Sequence, residues 1–293
     1  RLREVSLSAE GRAEALSLAL EGRGRTAEDA PIRLDGAASG ALAGPEARFD
    51  VTRLELRAGE RRFGLDAPLA LRRDAGVTRL EGLDLALPGG GVRGAAALHP
   101  EGLVADLALA FADLAPLAEL LGLPVAAGAV EADLALDTRP GSASGRLDLS
   151  AARLALESAP DAARALDAEA RARWDGARLT AEGSLAGGFG APAAFEAALP
   201  LRPAGLLPAP PADARLDAAV TWSGEIEEIW VLVPAPDHVL SGRLDLDLRV
   251  AGPLRDPDFA GSVTLTDGAY QNLETGTILT DMQLRSRLAP GGG

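Results

Sequence analysis

Charged and apolar residues alternate strictly between residues 166 and 174, where the sequence reads LDAEARARW. On a helix, the four charged side chains would scatter around the axis and leave no apolar stripe. On a strand, they all point to one face of the sheet and the apolar side chains point to the other. The pattern therefore predicts a strand, although Ala, Glu and Arg favour helices, because burial of an apolar face overrides intrinsic propensity.

The same alternation recurs along most of the chain, in runs of about 5–8 residues bounded by Gly, Pro or Asp. These runs predict an all-β fold of roughly 18–20 mainly antiparallel strands with one apolar face. The side chains expected on that face are Leu54, Leu56, Leu83, Leu85, Leu107, Leu109, Leu134, Leu136, Leu147, Leu149, Leu154, Leu156, Trp174, Leu244, Leu246, Leu248, Val263, Leu265, Met282 and Leu284.

One short helix is expected near residues 113–121, in the sequence DLAPLAELLG. Asp113 can cap its N-terminus, Pro116 is tolerated in the first turn, and Gly122 suits the exit. The leucines of this stretch share one side of such a helix, which is consistent with burial of that side.

The organisation along the chain is indicated by one proline-rich stretch and one repeat. Residues 199–214 (LPLRPAGLLPAPPADA, read from Leu199) predict a loop or linker between segments 1–198 and 215–293. Residues 128–156 align with residues 242–270, each with Gly, an alternating strand, a turn and a second alternating strand. Such repeats are typical of stacked units along an extended sheet.

Composition narrows the classes of partner. The chain has 293 residues, 47% of them hydrophobic but only 3% aromatic, with a net charge of -14 and no lysine. An acidic chain disfavours nucleic acid as a partner, since phosphate contacts need a basic surface. The absence of cysteine excludes disulfides, thiolate metal sites and a cysteine nucleophile. No uncharged apolar run reaches the roughly 18 residues that would indicate a membrane span.

The sequence GGGVRG at residues 89–94 matches the G-x-G-x-x-G pattern of dinucleotide-binding loops. That function requires a helix directly after the glycines, whose N-terminus would bind the pyrophosphate. Pro100 and Gly102 follow too closely for such a helix, so we interpret the glycines as a hairpin turn.

No catalytic, cofactor or metal site is predicted. His99 and His238 are the only histidines, and each is expected to be solvated. Asp245 and Asp247 share one face of a strand and lack the Gly turn and distal Glu of an EF-hand loop. No serine has a G-x-S-x-G setting. We therefore predict that the protein is not an enzyme.

Two arrangements can remove an apolar sheet face from water. In an ordinary sandwich, two sheets bury their apolar sides against each other, and periodicity alone favours this arrangement. In an open trough, a ligand completes the burial. Strands of six residues span roughly 20 Å, comparable to the length of about 15 Å that an acyl chain occupies in half a bilayer.

Two stretches resemble the translocation and assembly module subunit TamB family, which belongs with the AsmA-like proteins. Residues 252–284 read GPLRDPDFAGSVTLTDGAYQNLETGTILTDMQL, and residues 104–136 read VADLALAFADLAPLAELLGLPVAAGAVEADLAL. The resemblance implies an elongated, curved sheet that forms a half-pipe, or β-taco, with an apolar interior. Since the N-terminal anchor of that family is not recognisable, we expect the chain to be an internal part of a longer protein.

The resemblance also implies a function and a location. Such a protein is periplasmic, is anchored in the inner membrane by its N-terminal segment, and conducts phospholipids between the two membranes along its groove. An alternative is a scaffold for assembly or secretion of outer-membrane proteins with an Omp85-type, TamA-like partner, which the chain would serve through β-augmentation. A sandwich used for adhesion or spacing remains the third hypothesis.

Overall fold

The computed structural model describes residues 2–25, 29–121, 125–156, 165–187, 191–230, 235 and 237–289. Strands contain 76% of the residues and helices 3%, which confirms the predicted all-β class. The chain divides into two compact units. Unit 1 comprises Arg1–Leu117, Glu131–Ala143 and Pro203–Leu207, and unit 2 comprises Ala118–Val130, Ser144–Arg202 and Pro208–Gly293.

Unit 1 is a series of antiparallel strands joined by short turns. Its first nine strands are β1 (Leu2–Arg12), β2 (Ala15–Arg25), β3 (Pro31–Ala43), β4 (Glu46–Ala58), β5 (Arg61–Leu65), β6 (Leu69–Asp74), β7 (Val77–Leu87), β8 (Gly90–His99) and β9 (Gly102–Phe111). Successive strands pair with each other, except that β5 and β6 both lie between β4 and β7. The sequence between them contains Pro68, which lacks an N–H group for a continuous ladder.

The remaining elements begin with α1 (Ala115–Leu121) and β10 (Val125–Asp137). The others are β11 (Ser144–Leu156), β12 (Leu166–Trp174), β13 (Arg178–Ala186), β14 (Ala193–Pro200), β15 (Arg202–Ala204), β16 (Leu207–Ala209), β17 (Arg215–Glu225), α2 (Ile226–Trp230), β18 (His238–Pro253), β19 (Asp258–Asn272) and β20 (Ile278–Leu288). Within unit 2, β11 to β14 and β17 to β20 form one antiparallel series in which β14 pairs directly with β17.

The predicted short helix is confirmed as α1. The carboxylate of Asp113 accepts a hydrogen bond from the backbone N–H of Ala115 at 3.1 Å, as expected of a residue that caps a helix. The predicted exit residue Gly122 lies outside the described residues. A second helix, α2, was not predicted.

The hairpin interpretation of residues 89–94 is confirmed. Leu87 of β7 and Gly90 of β8 are directly paired, so Pro88 and Gly89 form a two-residue turn. Gly89 has a φ of 83°, a backbone angle that residues other than glycine rarely adopt. No helix follows. Gly89 therefore serves the backbone geometry of the turn, and Gly90, Gly91 and Gly94 are part of β8.

The division of the chain differs from the one predicted at the proline-rich stretch. Residues 199–214 contain β15 and β16, which pair as a small two-stranded sheet. Neither compact unit is a continuous segment, because each consists of three separate stretches of the chain. The prediction used local composition, whereas the units are defined by contacts between distant parts of the chain.

The repeat predicted from the sequence has a matching backbone geometry. Gly128 and Gly242 have φ values of 140° and 120°. The residues 25 positions further on, Arg153 and Asp267, also have positive φ values, of 53° and 52°. A Cβ atom on Gly128 would lie within 3.0 Å of the Cα atom of Leu154, the residue after Arg153. A Cβ atom on Gly242 would likewise lie within 3.0 Å of the Cα atom of Gly268, the residue after Asp267. Both copies therefore place a bulged residue against a glycine that leaves room for it.

Candidate functional site

The apolar face of unit 1 is built from rows of side chains that lie directly opposite one another on neighbouring strands. We define this face by four rows, which are Val5–Gly22–Leu34–Leu56–Phe63, Leu7–Leu20–Gly36–Leu54, Ala9–Leu18–Ala38–Val51–Leu69 and Gly11–Leu16–Gly40–Phe49–Leu71–Leu80–Ala96–Ala105. The longest row crosses eight strands without a charged residue. The period-two alternation therefore produces a continuous apolar surface.

The apolar face of unit 1 is not closed into a core. Among the described residues of unit 1, no leucine, isoleucine or valine is buried, and its buried hydrophobic residues are Ala105, Phe111 and Ala132. Leu7 and Val5 are 70% and 56% exposed. A sandwich interior would have enclosed these side chains at the density of a protein core. Most leucines of the rows are instead half-buried by their neighbours on the same face.

A bulge in β4 keeps this face continuous. Val51 pairs with Ala38 and Leu54 pairs with Gly36, so β4 carries one more residue than β3 between these pairs. The hydroxyl of Thr52 donates a hydrogen bond to the carbonyl oxygen of Ala37 at 3.3 Å. Because the extra residue restores the alternation, Val51 and Leu54 both point to the apolar face despite their odd spacing.

The middle of the unit 2 apolar face is also open. Its central row runs across eight strands as Leu149–Ala170–Gly183–Phe195–Val220–Leu248–Gly261–Leu288. Phe195 and Val220 are each 37% exposed. Gly183 makes room for the ring of Phe195, which lies directly opposite it on β14.

One margin of the same face in unit 2 is closed. Leu166, Trp222, Ile226, Leu244 and Leu265 form a cluster of buried side chains, with Leu265 only 4% exposed. Ile226 comes from α2, which is fixed by a hydrogen bond from the backbone N–H of Gly242 to the carboxylate of Glu227 at 3.0 Å. This margin has the packing of a core, and a helix completes it.

The three tryptophans lie in unit 2, and each has a partner for its indole N–H. Trp174 donates to the carbonyl oxygen of Leu201 at 3.0 Å, Trp222 to that of Ala191 at 3.0 Å, and Trp230 to that of His238 at 2.8 Å. Buried indoles need such partners, and these hydrogen bonds fix the large rings at the margins of the sheet.

The structure distributes the predicted lining residues over both units. Leu54, Leu56, Leu83, Leu85, Leu107 and Leu109 belong to strands of unit 1, as do Leu134 and Leu136 of β10. Trp174, Leu244 and Leu265 are buried, whereas the other predicted lining residues whose side chains are described are at least partly exposed. The side chain of Leu156 lies outside the described residues.

Sequence reasoning missed several lining positions. Leu16, Leu18 and Leu20 of β2 form part of three rows, and Phe49 lies at the centre of the longest one. The alternation in ALSLAL at residues 15–20 is a sufficient signal for the first three. Phe49 is hidden in the sequence because the bulge in β4 interrupts the period.

The opposite, polar faces carry pairs of arginine and carboxylate groups. Glu55 lies among Arg57, Arg53 and Arg62, and the hydrogen bond from Arg57 lowers the pKa of its carboxyl group, with the other two charges adding to the effect. In unit 2, Arg249 donates to both carboxylate oxygens of Asp217. Arg57, Arg249 and Asp217 are exposed, whereas Glu55 is buried among its arginines. The exposed charges indicate a solvated face.

Asp137 of unit 1 accepts four hydrogen bonds. The Arg139 guanidinium donates to both of its oxygens, at 3.0 and 2.6 Å, and the Arg139 backbone N–H and the Ser142 hydroxyl donate as well. The hydrogen bonds from the Arg139 side chain hold the pKa of this carboxyl group well below its ordinary value. The group is part of a turn and has no substrate-like surroundings.

In the part of the chain that the structure describes, no cluster of reactive or metal-binding side chains offers an alternative candidate site. The described residues contain no group of three or more His, Asp or Glu side chains placed to hold a metal ion. None of the described helices has the length and hydropathy needed to cross a membrane. A shallow depression of about 400 Å³ on the polar face of unit 2 is lined by Arg171, Arg173, Glu182, Glu196 and Arg249, among others.

Comparison of the chain with protein-family models, with curated proteins and with solved structures gave no match. The candidate site therefore depends on the geometry of the two apolar faces.

Proposed function

We propose that the apolar faces bind the acyl chains of phospholipids and let them move from strand to strand within a longer, periplasmic parent protein. The observation that supports this most directly is the set of half-exposed leucine rows in unit 1. Apolar surface exposed to water costs about 25 cal/mol per Å². A continuous patch of this extent is unusual on a soluble protein unless a ligand or partner covers it.

The chemistry of the rows suits a mobile ligand. They consist of Leu, Val, Ala and Gly with few aromatic rings, and they lack charged residues along the longest row. An acyl chain gains a similar burial at each strand, so no single position holds it strongly. Because neighbouring strands are about 4.8 Å apart, each step across the sheet is short.

The polar faces complete this arrangement. Arginine–carboxylate pairs keep that side of each sheet in water, which leaves the apolar face as the side available to a lipid. No residue performs a covalent step in this function. The resemblance to the TamB family supports the same function and the same envelope location.

Photo-crosslinking tests the proposal. A photo-reactive amino acid at Leu18, on the apolar face, is compared in cells with the same group at Ala19, which lies next to it on the opposite face. We expect phospholipid adducts at position 18 and none at position 19, identified by mass spectrometry of the isolated protein.

The other outcomes identify the competing functions. Adducts with outer-membrane proteins alone at position 18 would favour the scaffold hypothesis and an Omp85-type partner. Equal lipid labelling at both positions would show non-specific membrane contact and would contradict the proposal. The absence of adducts at both positions would favour the third hypothesis, a domain used for adhesion or spacing.

A further inference from the structure

Arg73 occupies an unusual place on the apolar face of unit 1. It follows Leu69 and Leu71 at alternate positions of β6 and therefore points to the same side of the sheet. Its directly paired neighbours are Ala47 on β4 and Thr78 on β7. Arg73 is thus a charged residue that follows the apolar positions of β6, next to the turn after this strand.

No acidic partner explains this position. Among the residues that the structure describes, no carboxylate forms an ion pair with Arg73, whereas its neighbour Arg72, on the opposite face, pairs with Asp50 at 2.7 Å. The side chain of Arg73 is exposed, and neither of its paired neighbours is charged. The guanidinium therefore presents its donors at the margin of the leucine surface.

Along β6 and β4, the charged side chain of Arg73 is followed by apolar side chains, in the same order as the headgroup and tail of a phospholipid. Beyond Arg73, the paired residues Leu71 and Phe49, and then Leu69 and Val51, continue the apolar face along the strands. An acyl chain of about 15 Å covers roughly five residues of strand. A lipid whose tail lies along β6 and β4 then has its headgroup at the margin, within reach of a guanidinium suited to bidentate phosphate binding.

We propose that Arg73, assisted by the hydroxyl of Thr78, binds the phosphate of a phospholipid whose tail lies on the apolar face of unit 1. This inference depends on the proposed function, because it assigns the headgroup position of the same ligand. It makes the margin at Arg73 a point where a phosphate-bearing lipid is preferred over an uncharged one.

Binding of two matched lipids tests the assignment. Palmitoyl-lysophosphatidylglycerol and monopalmitoylglycerol share an acyl chain and a glycerol, and only the former carries an anionic phosphoglycerol group. Calorimetric titration below the critical micelle concentrations compares the wild-type protein with Arg73→Gln and with Arg79→Gln. Arg79 is the matched control, because it lies beside Thr78 on β7 and points to the opposite face.

We expect Arg73→Gln to weaken lysophosphatidylglycerol binding at least about fivefold, the loss expected for a charged hydrogen bond at an exposed site. Binding of monopalmitoylglycerol should change less than about twofold, and Arg79→Gln should leave both affinities within the same limit. Thermal unfolding of both variants checks that the fold is intact.

Three results would overturn the assignment, and they separate it from the proposed function. Equal binding of both lipids by the wild type, unchanged in Arg73→Gln, would remove the phosphate site and leave the acyl surface. Equal losses in the two variants would show an effect of net charge. If palmitate, titrated in the same way, depends on Arg73 while lysophosphatidylglycerol does not, the site binds a carboxylate. If neither lipid binds the wild type, the proposed function itself fails.

Discussion

Unit 1 and unit 2 are built by the same alternation of apolar and polar residues, yet they treat their apolar faces differently. In unit 1, no described leucine, isoleucine or valine is buried. In unit 2, Trp222, Leu244 and Leu265 form a buried cluster that α2 completes. The comparison shows that alternation determines which side of a sheet is apolar. Covering that side requires large side chains or a helix.

The two units also differ in the kind of side chain that is buried. In unit 1 a polar residue, Thr138, is fully buried, and its hydroxyl accepts from the backbone N–H of Leu103 and donates to the carbonyl oxygen of Gly205. In unit 2 the buried side chains include Leu166, Trp174 and Leu265. Unit 1 is therefore held by its backbone ladders and polar turns, and unit 2 has an apolar core in addition.

A buried charge provides the largest expected contrast. Leu265→Arg places a guanidinium inside the cluster of unit 2, at a side chain that is 4% exposed, and should unfold that unit, because an unpaired charge in a core costs several kcal/mol. Leu18→Arg places the same group on the apolar face of unit 1, where it can reach water, and should leave unit 1 folded. Intrinsic fluorescence reports on unit 2, since all three tryptophans lie there, and hydrogen exchange reports on unit 1.

If both arginine variants unfold the protein, the apolar face of unit 1 is closed and the distinction between the units is lost. If Leu18→Arg folds and no longer yields lipid adducts when the crosslinker is placed at Leu20, the face is both open and the route of the lipid.

Truncation of a leucine gives a smaller contrast of the same sign. Leu265→Ala should lower the free energy of unfolding by about 2–5 kcal/mol, because it opens a cavity in a core. Leu7→Ala, at a side chain that is 70% exposed, should lower it by less than about 1 kcal/mol. Urea denaturation followed by fluorescence and far-UV circular dichroism measures both values. Similar losses at the two positions would contradict the comparison.

Thr138→Val tests whether polar contacts hold unit 1. The substitution keeps the shape of the side chain and removes the hydroxyl, which leaves the Leu103 N–H and the Gly205 carbonyl with one partner fewer. We expect a loss of about 1–3 kcal/mol. Hydrogen exchange should rise in β9 and in the segment around Thr138, and exchange in β17 to β19 should stay unchanged. Thr180→Val, on the polar face of unit 2, is the control.

Asp137→Asn should have the smallest effect, of about 1 kcal/mol near pH 7. The pKa of Asp137 is lowered chiefly by hydrogen bonds from the Arg139 side chain, so its contribution to stability is fully present above the ordinary pKa of an aspartate. It is lost as the pH falls below about 4, towards the pKa of the folded state. The difference in unfolding free energy between wild type and variant should therefore shrink below pH 4. A difference that stays constant from pH 7 to pH 3 would refute this contribution.

Sequence patterns were sufficient for the strands, the hairpin at Gly89 and the short helix after Asp113, because each depends on local periodicity or turn chemistry. They were insufficient for α2, since IEEIW at residues 226–230 is too short to show a helical period. The positive φ values of Arg153 and Asp267 also left no compositional signal. Both features depend on the strands that surround them.

The candidate site was likewise predicted only in part from the sequence. Alternation identified which leucines share a face, and it missed Phe49 because the bulge at Thr52 shifts the period. It could not tell that Leu265 is enclosed and Leu54 is open, since both have alternating neighbours. Exposure depends on what covers a face, and that information lies in distant parts of the chain.

The bulge in β4 has a consequence for how such a chain tolerates changes of length. Deletion of one residue inside a regular strand would move the apolar side chains of the rest of that strand to the polar face. The extra residue at Thr52–Arg53 shows that a β-bulge can accommodate an insertion without this change. Over evolutionary time, related chains should therefore gain and lose residues singly at bulges and turns, and in pairs elsewhere.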